Sequence, residues 1–262
     1  MALLRTGPPA AGRWHCIEHF LRDRSADFAL AQAQAVALPP VALSPSVPRD
    51  QRFAEQVKFL VELYTRPLAR WERVLGLDEK TNLQPRPRLA PTLPSRPGRP
   101  SRVEHEYKRA GALHLFAAFE TRTGKVTALT ALRKRQEEFI TLLARLDRET
   151  PTRVKRIFLV LDNASIHKGK RVQAWLAAHP RFLCHFLPTH CSWMNQIEQW
   201  FSIVQRKRLQ ISDFPDCAHL ADRLMAFVAE WNADAHPFNW SLKSATKVMA
   251  QCDDHPLQTI AA

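Results

Sequence analysis

The stretch Ile157–Gly169, IFLVLDNASIHKG, sets five apolar residues directly against an acid, Asp162, with an asparagine next and a histidine five places past the acid. An apolar run of this length reads as a strand covered on both faces. A carboxylate at the end of such a strand is costly unless something there needs the charge. The fold and the chemistry both turn on what that is.

Working outward, the pattern before this strand is mostly β. RVLGLDEKT reads as a strand ending at Asp78. ALHLFAAFE and KVTALTAL are two further strand-like runs, and the TRTG between them, with Gly124, signals a hairpin. After that the period changes. RQEEFITLLARLDRETP puts Phe139, Leu142, Leu143 and Leu146 on one helical face and stops at Pro151. Beyond the opening strand, KRVQAWLAAHP gives a short helix carrying Val172, Trp175 and Leu176, and RFLCHFLP a last strand. SWMNQIEQWFSIVQRKRLQ reads as a helix capped by Ser192 with a core stripe of Trp193, Ile197, Trp200 and Val204. Leu220, Leu224, Phe227, Val228 and Trp231 mark a final amphipathic helix, and Phe53, Val57, Leu60, Val61 and Tyr64 mark one ahead of the first strand. The order β, β, β, α, β, α, β, α, α predicts an α/β fold: a mixed β-sheet flanked by helices.

Composition bounds the partners. The 262 residues are 45% hydrophobic, enough for a sizeable core. The net charge of +13 and pI near 10.1 point to a polyanion, nucleic acid before an anionic membrane surface, against the plainer reading of arginine-rich composition. Five cysteines without CxxC pairing argue for a reducing compartment, and CHFLPTHC fits no usual zinc spacing. No apolar run reaches the length of a membrane span, so a soluble, cytoplasmic protein is expected. Residues 1–45 have weak periodicity and are left unassigned. QPRPRLAPTLPSRPGRPSR, within a Pro/Arg-rich loop over 84–104, excludes helix and central strand and reads either as a solvated linker or as an arm that contacts phosphates.

Ligand sites in such sheets form at strand ends. If the strands of Asp78 and Asp162 are neighbours, the two carboxylates share an edge, repel, and raise each other's pKa. A divalent cation resolves that conflict, and oxygen-only donors favour Mg²⁺ or Mn²⁺. Glu198, beside the apolar stripe of its helix, is the best third acid. Each acid has a plainer reading: Asp78 facing solvent with Glu79 as the ligand instead, Asp162 capping the turn after it, Glu198 paired with Arg206.

LDEKTNLQ, EYKRAGALHLFAAFETRTGKV, FLVLDNASIHKG and CSWMNQIEQWFSIVQRKRL together resemble bacterial insertion-sequence transposases related to the mariner elements, within the DDE superfamily of endonucleases. The resemblance runs from about Pro45 to about Met249 and takes in EWNADAHPFNW. It implies a ribonuclease-H-like fold, a catalytic domain over 46–250 and a tail over 251–262. It puts the acidic triad on Asp78, Asp162 and Glu198, with supporting roles for Asn163, His167 and Asn195. It also implies two Mg²⁺ ions, replaceable by Mn²⁺, DNA as partner at element ends and target, a TA target dinucleotide, a homodimer and a nucleoid-associated location. Residues 1–45 depart from the family pattern, which usually begins with a helix-turn-helix. Candidate phosphate contacts are Arg86, Arg88, Arg96, Arg99 and Arg102 on the loop, Lys108 and Arg109 after it, Lys168, Lys170 and Arg171 past the opening strand, and Arg206, Lys207 and Arg208 on the third-acid helix. The expected activity is phosphodiester cleavage and strand transfer with no covalent intermediate; the competing readings are a DNA-binding remnant and a stand-alone ribonuclease-H-like nuclease.

Overall fold

The structure is a computed structural model that describes residues 51–239, except 92, 103, 190 and 211–213. The expectations for 1–45 and 251–262 lie outside the described residues, as does the end of the EWNADAHPFNW segment.

Five strands form one mixed sheet in the order β3-β2-β1-β4-β5. They are β1 (Glu72–Leu83), β2 (Leu113–Glu120), β3 (Val126–Ala131), β4 (Arg156–Leu161) and β5 (Phe182–Phe186). The helices are α1 (Gln51–Thr65), α2 (Gln136–Glu149), α3 (Lys170–Ala178), α4 (Gln196–Val204) and α5 (Cys217–Ala233). β1 pairs antiparallel with β2 and parallel with β4, which pairs parallel with β5. The element order and the mixed sheet are those expected.

Strand alternation sorts the core into two layers. Leu75, Leu77, Phe116, Ala118, Ile157, Leu159 and Leu161 pack against Phe139, Leu142, Leu143 and Leu146 of α2. Leu115, Ala117 and Phe119 pack on the other face against Ile197 and Trp200 of α4 and Leu224 and Phe227 of α5. Each Leu, Ile or Phe side chain among these, removed from water, stabilises the fold by about 1.5–3 kcal/mol. The edge strand β3 is clipped by α5: Asn232 Oδ1 accepts from Val126 N at 2.8 Å and its Nδ2 donates to Val126 O at 2.7 Å. Trp231 Nε1 donates to the carbonyl of Gly124, the hairpin glycine with φ of 73°.

Several local expectations are corrected. β1 does not end at Asp78 but runs on to Leu83, because β2 goes on pairing with it past Gly76, where pairing with β4 stops. Ser192 does not cap a helix: Ser192–Met194 form a 3-10 turn, and α4 starts at Gln196. α4 then passes into a π-helical turn over Gln205–Leu209. On α1 the inward residues include Leu63, while Val61 is half-buried. The Pro/Arg loop folds back on itself through isolated bridges between Arg88 and Tyr107, Leu93 and Arg102, and Arg96 and Arg99, with Gly98 at φ of 73° near its tip.

Candidate active site

Asp78 and Asp162 meet because of register. β1 and β4 are paired up to Gly76↔Val160, and two more residues along each chain lead to Asp78 and Asp162. Asp162 is the first residue after β4. Asp78 lies on the sheet face that carries Ala117, its partner on β2, and so on the face covered by α4 and α5.

Glu198 arrives from above that face. Asn195 is fully buried, and its Nδ2 donates to the carbonyl of Leu77 at 2.8 Å. That bond ties the start of α4 to the peptide just before Asp78. The close approach needs Gly76: a Cβ there would sit 2.4 Å from Asn195 Oδ1. Tyr64 of α1 braces the same turn by donating to the carbonyl of Met194 at 2.9 Å. Glu198, in the first turn of α4, is half-buried, and among the described residues its carboxylate has no hydrogen bond or ion pair.

The charges interact. Burial pushes the Asp78 carboxyl up, the Glu79 amide that it accepts from opposes this, and the charges of Glu198, Asp162 and Glu79 add to the rise, which reaches about 7. Asp162 moves the other way. The hydrogen bond from His167 holds it below the usual carboxylate range against the cost of burial, helped by the amide of Ala164 at 3.0 Å. The turn-capping reading of Asp162 is therefore present alongside any other role.

His167 is buried, with both ring nitrogens engaged. Nδ1 lies 2.9 Å from Asp162 Oδ1 and Nε2 lies 2.9 Å from Glu79 Oε1. Burial works against a charge on the ring, but the hydrogen bonds to Asp162 and Glu79 outweigh it and raise His167 to about 9. Asn163 is turned away from the acids: Nδ2 donates to Leu187 O at 2.6 Å, and Oδ1 accepts from Lys168 Nζ at 2.6 Å. It pins the loop after β4 to the loop after β5.

Two groups at the site, Lys134 and Lys80, were not singled out from the sequence, and Glu79 was given a different role. Glu79 was weighed as an alternative ligand, but strand alternation sends it to the face opposite Asp78, where its side chain is 1% exposed. Lys134 Nζ stands 3.2 Å from Glu79 Oε2, an ion pair without the alignment of a hydrogen bond. Lys80 returns to the Asp78 face; burial pulls its pKa down while the nearby charge of Glu198 pulls it up. Period 2 applied through the charged DEK run would have placed Glu79 and Lys80.

Among the described residues, no three His, Cys, Asp or Glu side chains are drawn together as a finished metal cluster. The donor chemistry nevertheless fits a hard divalent cation. Asp78, Asp162 and Glu198 offer carboxylate oxygens only, and the Asp78 carboxyl, pushed up chiefly by its burial, also feels the charges of the other two.

Of the candidate phosphate contacts, Arg88 and Arg208 are half-buried and the rest are exposed. Several are already engaged. Arg171 pairs with Glu137 and Arg208 with Glu230, Lys168 lies over the Phe186 ring, and Arg86 lies over Tyr107. No described helix is long and apolar enough to cross a membrane.

A mixed sheet of this order brings carboxylates from distant parts of the chain toward the end of its parallel strands. The chain belongs to the DDE superfamily endonuclease family, whose sequence model matches residues 73–221. Within it, the chain is similar to the insertion element IS630 uncharacterized 39 kDa protein of Shigella sonnei, 38% identical over 94 residues. That match covers 36% of this chain and 25% of the relative, so it spans about a quarter of the relative's length. Among solved structures, the Mos1 mariner paired end complex with Mn matches with a TM-score of 0.50 at 16% identity, covering 97% of this chain and 80% of that one. The catalytic domain of Mos1 mariner transposase matches with a TM-score of 0.47 at 16% identity, covering 77% of this chain and 89% of that one. The fold is ribonuclease-H-like, as the sequence resemblance implied.

Proposed function

We propose that the chain carries the catalytic domain of a DNA transposase, over 46–250, which cuts and joins phosphodiesters at the ends of an insertion element. The observation that carries this reading is the setting of Asp78: a carboxyl raised to about 7 by burial first and then by the charges of Glu198 and Asp162, which come from distant parts of the chain. Two acids at a strand end have plain explanations; a third, brought from a separate helix to bear on the buried Asp78, does not.

Asp78, Asp162 and Glu198 are the acids of the proposed site. They would hold two Mg²⁺ or Mn²⁺ ions, which when bound would supply charge stabilisation to the attacking and leaving oxygens of an in-line displacement. The residues around the acids contribute position. Asn195 fixes the start of α4 and with it Glu198, and Asn163 fixes the loop after Asp162. The basic residues of the Pro/Arg arm, the segment after β4 and the end of α4 neutralise DNA phosphates without reading sequence. The Mos1 structures are of a mariner transposase, one in a paired end complex with Mn, which supports DNA and a divalent cation as partners here. A homodimer is part of the same proposal.

The test is Asp162→Asn on DNA carrying the element ends. Mg²⁺-dependent nicking is abolished, while DNA affinity stays near that of the parent and falls steeply with added salt. Nicking that survives the substitution rejects the site. A parent protein that binds DNA but never nicks it in Mn²⁺ points to the binding remnant instead.

A further inference from the structure

The acid site leaves one cluster unexplained. Glu79 lies in the apolar layer between the sheet and α2, with its side chain 1% exposed, and His167 beside it is 0% exposed. Burying a carboxylate among Leu, Ile and Phe side chains costs several kcal/mol unless it is fully paired. A core position with no task would be apolar. Here the chain instead supplies an acid, a histidine and the half-buried Lys134 to one another.

The geometry gives that cluster a direction. Glu79 is fixed to β1, and Lys134 holds its Oε2. His167 spans from Glu79 Oε1 to Asp162 Oδ1, 2.9 Å at each end, with the Phe139 ring against it at 4.5 Å between centroids. Asp162 Oδ1 accepts from the Ala164 amide at 3.0 Å and lies in ion-pair contact with His167 Nδ1, which also reaches the Asp162 backbone carbonyl at 3.3 Å. Its Oδ2 has no hydrogen-bond partner among the described residues. A carboxylate that is 38% exposed and sits just past the end of a strand is thereby held at one oxygen, with the other left available.

We propose that Glu79 and His167 form a positioning couple, acting through the sheet edge from the face opposite the acids, which orients the Asp162 carboxylate for a divalent cation. The inference rests on the acid-site reading above. Glu79 and His167 are positioning residues: neither touches DNA or the ion. Outer partners of ligating carboxylates typically change metal affinity or activity by about 10–100-fold when removed.

Histidine surrogates separate the two ends of the couple. Asparagine places its amide where Nδ1 stands and keeps the donor to Asp162. Glutamine reaches the Nε2 position and keeps Glu79 while losing Asp162. Mn²⁺ binding is measured on the full chain without DNA, from the electron paramagnetic resonance signal of free Mn²⁺, and melting temperature and DNA affinity are measured in parallel. His167→Gln weakens Mn²⁺ binding about 10-fold or more, and His167→Asn recovers most of it. Glu79→Gln keeps the volume and an acceptor but removes the charge, and it weakens binding by a smaller factor. DNA affinity in metal-free buffer stays with the parent in all three, which a general loss of structure would not allow. Parent-like Mn²⁺ binding in both His167→Gln and Glu79→Gln overturns the couple while leaving the acid site standing. If the parent binds Mn²⁺ no better than Asp162→Asn, the acid site falls and the couple falls with it.

Discussion

Asp78 and Asp162 stand level on adjacent parallel strands, two residues past the Gly76↔Val160 pair. Eighty-odd residues of chain separate them, and the sheet register alone sets them side by side. Most of what the protein can be expected to do under perturbation follows from that adjacency.

The first consequence is a pH-dependent strain in the metal-free protein. The folded Asp78 carboxyl, at about 7, lies above its value in the unfolded chain, so the folded state binds its proton more tightly. Stability therefore falls as pH rises from about 4 through 7 and levels off above that. Asp78→Asn removes this slope. At pH 8 without metal the variant should be more stable than the parent by on the order of 1–4 kcal/mol. With Mn²⁺ present the order should reverse, since the parent gains an ion and the variant does not. Thermal melts at pH 5 and pH 8, with and without Mn²⁺, check both signs.

Gly76→Ala should be among the most damaging small changes in the sheet. The added methyl would stand 2.4 Å from Asn195 Oδ1, and the amides of Ile197 and Gln196 lie close behind. Either Asn195 gives up the Leu77 carbonyl or α4 lifts from β1. Overpacking of this kind costs about 1–3 kcal/mol. Because α4 carries Glu198, nicking should fall further than the loss of stability accounts for. Denaturant melts beside nicking rates at a temperature where the variant is folded will separate the two effects.

Glu72 provides a pH dependence remote from the acids. The hydrogen bond from Arg66, 2.8 Å to Oε2, holds its carboxyl below the usual range against the cost of burial, with the Ala69 amide helping. A depressed carboxyl stabilises the fold above its unfolded pKa and loses that contribution as pH falls through the folded value. Glu72→Gln should cost about 1–2 kcal/mol at pH 7. The difference between parent and variant should vanish as pH falls below about 4. Urea melts across that range give the comparison directly.

The sequence made the framework legible wherever burial follows a simple period. The stripes Phe139, Leu142, Leu143, Leu146 and Leu220, Leu224, Phe227, Val228, Trp231 are buried as the helical period requires. The strand run before Asp162 is buried from Ile157 to Leu161. It failed where a polar residue serves tertiary structure. The Glu79–Lys80 pair looked like the end of a strand, yet β2 carries β1 on through it. Ser192 had the chemistry of a cap, but the turn it opens exists to seat Asn195 under β1. His167 drew attention by its spacing from Asp162, but its engagement with Glu79, 88 positions earlier, depends on a contact across the sheet that no local pattern records. The back-folding of the Pro/Arg arm is likewise long-range along that loop: Arg88 and Tyr107 meet although the prolines between them look merely extended.

The placement of Glu198 on α4, held to β1 by Asn195 and Gly76, also sets when the centre can exist. On the proposed triad, a polypeptide that has laid down β1 to β5 would still hold only two of the three acids in position. The last arrives when the segment beyond β5 docks against the first strand. If that triad does the cutting, activity would be tied to completion of the domain, and partly made chains would be disarmed by topology rather than by an inhibitor.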